Sequence, residues 1–368
     1  MKLFQIPKIL LLLFLSDMVL ADNNSVHIIS LNIGSTIHTY NYTGTKEQKA
    51  KDAFLNIKNF LKQETDSYQK NIIALQEVDV LTTRNGKINH PLKLIEYLDS
   101  SKWIHHFGHT AYYSNGDYGI DSLTNLQSST FEEWNLGKIR ETRKAIIQKI
   151  VGVIPNRTLY VINTHLTHMG KDNAFNQLNK ILENIKSQIN SYDIVVIIGD
   201  LNINTYQNNA NLIQLEDKSK SYGFELLGNQ NFTYIKDDQT VHRIIDHVLI
   251  FDKFNILLKK ELEVYTSSPN GNSNKRYTDH NGLGISLEWK DKWNEEWNTI
   301  TSFSWDNGYK FSLNNGKEYT LDNIYPQNIL TNFQKSILER AFKDKKLIKV
   351  HLIGALNENI VDRFIIKY

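Results

Sequence analysis

The most uniform stretch of the chain is Asp193–Asn202, in which Ile194 to Ile198 run as five apolar residues before Gly199, Asp200 and Asn202. A run so short, with no polar face, predicts a strand buried on both sides. The same pattern recurs along the sequence. Val26–Ile33 predicts a strand ending on Asn32, and Asn71–Leu75 one that runs into Gln76 and Glu77. Leu159–Thr167 runs into Asn163, Thr164 and His165, Arg243–Ile250 sets Asp246 among apolar neighbours, and Tyr277–Leu287 places Asp279 and His280 just before a last alternating strand. Glu141–Val151 alternates from Ala145 onward. Between these strands lie helical periods. Lys46–Asp66 carries Ala50, Phe54, Ile57, Phe60 and Leu61 on one face, and Asn173–Asn190 carries Phe175, Leu178, Ile181, Leu182, Ile185 and Ile189. Pro91–Leu98 reads as a short helix, after a Thr83–Pro91 loop with an Asn-Gly turn. His105–Thr124 is rich in Gly, Tyr and Asn, and no segment reads as an exposed aromatic hairpin of the kind that would enter a membrane.

The region after Trp289 changes character. Tyr309–Leu313 and Tyr319–Leu321 flank Asn-Asn-Gly, Ile329–Lys343 has a helical apolar face, and Leu347–Ile353 and Ile360–Ile366 read as closing strands. The expectation is a ββαββ module over residues 290–368, with no catalytic constellation, serving to bind a partner or surface or only to brace the chain. The first 21 residues have Lys2 and Lys8, an apolar run from Ile9 to Leu15, and Val19 and Ala21 before a cut; they predict an export signal and a secreted or periplasmic product beginning at Asp22. The chain has no cysteine, so stability must come from the core that 368 residues can bury, and the product is expected to be a monomer without a transmembrane segment. Four Asn-x-Ser/Thr sites (Asn23, Asn41, Asn156, Asn231) matter only in a host that glycosylates. The formal charge is +2, and loss of Lys2, Lys8 and Asp17 with the leader leaves +1, a balance that makes no strong electrostatic claim on nucleic acid or membrane.

Asp200 and Asn202 lie two apart, so an extended backbone would turn both side chains to the same side; an Asx turn would explain them as simply. What decides between the readings is the repetition of buried strand followed by polar end. Clusters at Asn32, Glu77, Asn163/His165, Asp200/Asn202, Asp246 and Asp279/His280 contain carboxylates, amides and two histidines and no thiol. That donor set suits a hard divalent cation with acid–base groups around it.

Taken in order, Asn32; Gln76-Glu77-Val78; Tyr118-Gly119; Glu141 and Arg143; Asn163-Thr164-His165-Leu166; Gly199-Asp200-Leu201-Asn202; Asp246; and Asp279-His280 resemble the endonuclease/exonuclease/phosphatase superfamily over residues 26–289. That superfamily includes pancreatic-type deoxyribonucleases, abasic-site endonucleases, bacterial sphingomyelinases and inositol-polyphosphate 5-phosphatases. The resemblance implies a four-layer α/β/β/α sandwich for residues 22–289, with the small C-terminal α+β domain beyond it. It implies Mg²⁺, with Mn²⁺ or Ca²⁺ as alternatives, on Glu77 with Asn32 and Asp279 lining the same pocket. Asp200 would orient or deprotonate the attacking water, Asn202 would bond the phosphoryl oxygens, and His280, oriented by Asp246, would contact the scissile phosphate. His165 would contact the phosphate or assist the leaving group, while Asn163, Tyr118 and Arg143 would bind substrate. Asn32 and Asn163 could equally satisfy backbone groups at strand ends. Arg84, Asn85 and His90 are candidates for a substrate rim. The implied activity is phosphodiester hydrolysis, on a nucleic acid or a phospholipid headgroup; inositol-phosphate monoester removal and a non-catalytic binding protein on the same fold are the alternatives. The sequence leaves open whether Asp200 or His280 is the general base. Two positions depart from the pattern: Gly34 stands where abasic-site endonucleases have an Asp, and His247 where Tyr or Arg is common.

Overall fold

The computed structural model describes residues 24–154, 157–228, 231–236, 240–253, 255–269, 275–289, 291–293, 298–304, 310–321, 329–353 and 360–367. The export signal read at residues 1–21 and the Asn23 and Asn156 sites lie outside them. Strands β1 (Ser25–Asn32), β2 (Asn71–Val80), β3 (Ile104–Tyr113) and β4 (Gly116–Thr124) join β13 (Leu257–Tyr265) and β14 (Gly282–Trp289) in one sheet, in the order β13-β14-β1-β2-β4-β3. A second sheet has β5 (Ser129–Lys138), β6 (Thr142–Val151), β7 (Thr158–His165), β8 (Ile194–Asp200), β9 (Glu225–Leu226) and β12 (Asp246–Phe251), in the order β5-β6-β7-β8-β12-β9. A two-stranded ribbon, β10 (Tyr234–Ile235) with β11 (His242–Arg243), lies outside both.

The layers follow from which side chains each strand turns where. Val26, Ile28, Ile72 and Ala74 of the first sheet pack against Val161, Ile194, Val196, Ile198, Val248 and Ile250 of the second, a dry seam between the sheets. The opposite faces are covered by helices. Ile29, Leu31, Ile73 and Leu75 pack under α1 (Lys46–Asp66) and α2 (His90–Leu98); Tyr160, Ile162, Val195 and Ile197 pack under α3 (Lys171–Gln188), with Leu215 from α4 (Asn209–Ser221). Both middle strands are therefore apolar on each face, which is why their sequences lack alternation. The result is an α/β/β/α sandwich. Thr45 caps α1 by accepting from the Gln48 N–H, and Asn89 caps α2 by accepting from that of Leu92.

A buried polar tie crosses the middle of the seam. The Asn163 amide nitrogen donates to the carbonyls of Leu75 (3.1 Å) and Asp121 (2.8 Å), and its oxygen accepts from Gln76 Nε2 at 2.8 Å. Beyond the sandwich, β15 (Asp291–Trp293), β16 (Asn298–Ser304), β17 (Lys310–Leu313) and β18 (Glu318–Leu321) precede α5 (Ile329–Lys343), β19 (Leu347–Ile353) and β20 (Ile360–Lys367) in a third sheet. The ββαββ expectation is short by two strands: β15 has only three residues, too few to show a period, and β16 (NTITSFS) is mostly Thr and Ser. Ile300, Phe311, Leu313, Tyr319, Leu338, Ile348 and Val350 form its core. No helix among the described residues is long and apolar enough to cross a membrane.

Two stability predictions follow from buried polar groups. Asn163→Ala removes a buried partner from Gln76 Nε2 and from two carbonyls inside the sandwich, and should cost about 1–3 kcal/mol in urea unfolding; a change below about 0.5 kcal/mol would show that water or a shift replaces the tie. His27 is buried, stacked on Tyr68 with centroids 4.0 Å apart, and burial pulls its pKa down from 6.5 to about 4. The unfolded chain then binds a proton that the folded one refuses, so this contribution is intact above pH 6.5 and is lost on acidification toward pH 4. His27→Gln should therefore lose about 2–3 kcal/mol less than the parent over that window. Parallel pH profiles for the two would contradict it.

Candidate active site

The strands end together. In the parallel β7–β8 ladder His165 sits opposite Asp200, and in the antiparallel β12–β8 ladder Asp246 sits opposite Asp200, so three adjacent strands hold the three groups abreast. Gly199 makes this possible: its φ is +139°, and a Cβ there would collide with the Thr164 carbonyl of the neighbouring strand. Glu77 arrives differently. A register shift between Leu75 and Val78 in the β2–β4 ladder marks a bulge, and Glu77 takes φ +52°, which turns its carboxylate out of the sheet. His280 and Asp279 come from the turn just before β14.

The geometry is tight. Asp246 Oδ2 lies 2.9 Å from His280 Nδ1, His280 Nε2 is 3.7 Å from Asp200 Oδ2, and His165 Nε2 is 3.5 Å from the same oxygen. The other Asp200 oxygen accepts the Asn202 backbone N–H at 2.9 Å. Asn32 Nδ2 donates to Asp200 at 3.1 Å and to Glu77 Oε1 at 3.2 Å, because its oxygen is already taken by the Gly34 N–H. Burial and the adjacent Asp246 charge raise the Asp200 pKa to about 7, while His280 and the Asn202 N–H oppose the rise. Burial works against charge on His280, but Asp246, Asp200 and Asp279 outweigh it and hold the imidazole up to about 10. His165 has the reverse balance: burial and then Arg143 and His280 push it well below its usual value.

These groups open into a cleft of about 480 Å³ lined also by Arg84, Tyr118, Arg143 and Arg243. Arg143 is buried, pairs with Glu141 at 2.6 Å through Nη2 and lines the cleft wall, while its Nε is a buried nitrogen with no partner. Arg84 is fixed by Asp79, to which its Nε and Nη2 donate at 2.8 and 2.6 Å, and lies 4.5 Å from the Tyr113 ring. Of the rim candidates, Arg84 reaches the cleft, whereas Asn85 and His90 are buried against each other at 3.2 Å.

Most of the residues singled out from sequence meet here: Glu77, Tyr118, Arg143, His165, Asp200, Asn202, Asp279 and His280 line the cleft, with Asn32 and Asp246 directly behind. Asn163 does not. It is the tie across the seam, and its amide is fully engaged there, so it is not a substrate contact. Asn202 reaches the cleft by another route than strand alternation: its φ is +52°, and its side chain donates to the Leu166 carbonyl at 2.9 Å. Tyr113 at the end of β3, Tyr234 and Arg243 in the short ribbon and Arg140 in the β5–β6 loop also line the cleft and carried no sequence signal.

For a divalent cation, the cleft offers two candidate donor sets. Asp200, Asp246 and His280 present ligand atoms within 4.8 Å of one another, with His280 Nδ1 hydrogen-bonded to Asp246. Glu77 and Asp279 line the open side with carboxylate oxygens, and Asn32 holds Glu77 in place. Oxygen donors of this kind fit Mg²⁺.

No protein-family profile matches the chain, and no curated protein is similar to it in sequence. Solved structures are similar in shape. An endonuclease/exonuclease/phosphatase family protein from Leptotrichia buccalis superposes with a TM-score of 0.52 at 17% identity, over 72% of this chain and 99% of that one. ANGEL2, a 2′,3′-cyclic phosphatase solved with adenosine-2′,3′-vanadate, gives 0.52 at 13% identity over 72% and 95%. TDP2 from Caenorhabditis elegans gives 0.51 at 15% identity over 72% and 74%. At such identities the likeness is one of fold, and the fold of this chain is that of the endonuclease/exonuclease/phosphatase proteins.

Proposed function

We propose that this chain is a metal-dependent phosphoesterase that hydrolyses phosphodiesters. The observation that carries the reading is the convergence of Asp246, His280, Asp200 and His165 at one strand edge, beside Glu77 and Asp279, in an arginine-lined cleft. Phosphoryl transfer asks mainly for positioning and for charge opposite the phosphoryl oxygens. His280, with Asp246 on one nitrogen and Asp200 near the other, is held as a cation facing the phosphate. Asp200, oriented through Asn202 and Asn32, takes the proton of the attacking water as the new O–P bond forms. The bond to the leaving oxygen breaks on the far side of phosphorus, and that oxygen takes a proton from solvent. His165, kept neutral, offers a hydrogen bond without a charge, and Arg143 at the cleft wall sets its positive charge toward a phosphate oxygen. A divalent cation on Glu77 and Asp279 would supply Lewis acidity and lower the pKa of its bound water. The L. buccalis protein and ANGEL2 share the fold, and ANGEL2 is described as a phosphatase, which supports the same class here. The leader pattern of residues 1–21 supports a site of action outside the cytoplasm.

Two predictions follow. With Mg²⁺ and bis(p-nitrophenyl) phosphate, Asp200→Asn and His280→Ala should each lower kcat by about 10²–10⁴-fold in chains still folded by circular dichroism at the assay temperature. Full activity in either variant would remove the catalytic assignment. Independently of turnover, millimolar Mg²⁺ should raise the thermal midpoint of the parent chain, and Glu77→Gln should lose at least half of that rise. An equal rise in both would place the cation elsewhere.

A further inference from the structure

The strands that build the cleft end in loops whose tips are unexpectedly greasy. Ile37, Leu81, Tyr112, Tyr113, Ile139 and Met169 are all exposed, Tyr112 at 70% and Leu81 at 51%. Single exposed apolar residues are ordinary, but these share an address. Ile37 precedes His38, Ile139 precedes Arg140, Met169 follows His168, and Tyr112 adjoins Tyr113, each partner being a cleft-lining residue. Leu81 lies against the turn between β3 and β4, where the Thr83 N–H bonds the Ser114 carbonyl at 2.7 Å. The β3–β4 connection is thus an exposed aromatic hairpin beside the cleft, contrary to the sequence expectation that the chain has none.

The same tips carry cations. Ile139 stands between exposed Lys138 and Arg140, Met169 is two residues from exposed Lys171, and Leu81 is six residues from exposed Lys87. The acids in these loops are fewer, and Asp117 has His109 at 3.3 Å while Glu141 is held by Arg143. Apolar tips flanked by lysine and arginine match the chemistry of an anionic bilayer surface, where aliphatic ends enter the acyl boundary and the cations meet headgroups. A nucleic acid would use the tyrosines as stacking faces and the arginines on phosphate. It would leave Ile37, Leu81, Ile139 and Met169 in water, since an aliphatic tip has no ring to stack.

Building on the phosphoesterase reading, we propose that the cleft mouth docks on an anionic lipid surface and that the substrate is a phosphoester in a lipid headgroup. Docking by these tips would bring the arginine-lined cleft to headgroup depth without moving the lipid out of the bilayer. The near-neutral total charge is no obstacle, because the attraction resides in the loops.

The test is co-sedimentation of the full chain with vesicles of phosphatidylcholine and 20% phosphatidylglycerol, and with pure phosphatidylcholine, alongside turnover of bis(p-nitrophenyl) phosphate. A triple variant, Tyr112→Ser with Ile139→Ser and Met169→Ser, touches no residue placed in the cleft. The parent should bind the anionic vesicles at least tenfold better than the neutral ones. The variant should lose at least tenfold of that binding, keep its unfolding midpoint, and turn over the soluble diester within twofold of the parent. Equal vesicle binding by parent and variant, or no binding by the parent, would overturn the docking surface. So would tighter binding of a single-stranded oligonucleotide than of anionic vesicles, lost with Tyr112→Ser alone. Failure of the parent to hydrolyse the diester would count against the hydrolytic reading alone, since vesicle binding still decides the docking.

Discussion

Val26, Ile28, Ile72 and Ala74 press against Val161, Ile194, Val196, Ile198, Val248 and Ile250, and this dry seam is what brings two separate sets of strand ends to one edge. Glu77 and Asn32 belong to one sheet, His165, Asp200 and Asp246 to the other, and His280 to a turn of the first. The contacts that cross between them, Asn32 with Asp200 and His280 with Asp200 and Asp246, would be lost if the sheets slid by one strand repeat. Close packing resists such a slide because every shift opens voids along the whole interface. The Asn163–Gln76 tie adds direction to a contact that apolar packing alone leaves non-directional.

The cleft spends some of this stability. Asp200 is buried next to a second buried carboxylate, and burying charge is costly unless it is paired and hydrogen-bonded. His280 between Asp200 and Asp246, with the Asn32 and Asn202 donors, supplies that pairing. The left-handed Glu77 and Asn202 are strained positions at the same edge, held by the surrounding sheet.

Much of this was legible along the chain because buried central strands write themselves as unbroken apolar runs, and the polar residue at the end of such a run must be spent on something. Asp200, Asp246, Glu77 and His280 could be picked out for that reason. The manner of their arrival could not. The bulge that turns Glu77 outward leaves no mark in a two-residue period, and Asn202 adopts a left-handed conformation where alternation predicted an extended one. Asn163 has the residue type and the place of a substrate contact, and only the second sheet, unseen in its own local sequence, claims its amide. Tyr112 and Tyr113 sit in a stretch where Gly, Asn and Tyr blur the strand period, so the hairpin and its exposure emerge only when β3 pairs with β4.

The central claim is that water attacks phosphorus at the Asp200–His280 edge. Hydrolysis of a phosphodiester in H₂¹⁸O, with the products analysed by mass spectrometry, tests it directly. The account predicts one ¹⁸O in the phosphate of the monoester product and none in the released alcohol. Label in the alcohol, or turnover without label in the phosphate, would contradict it.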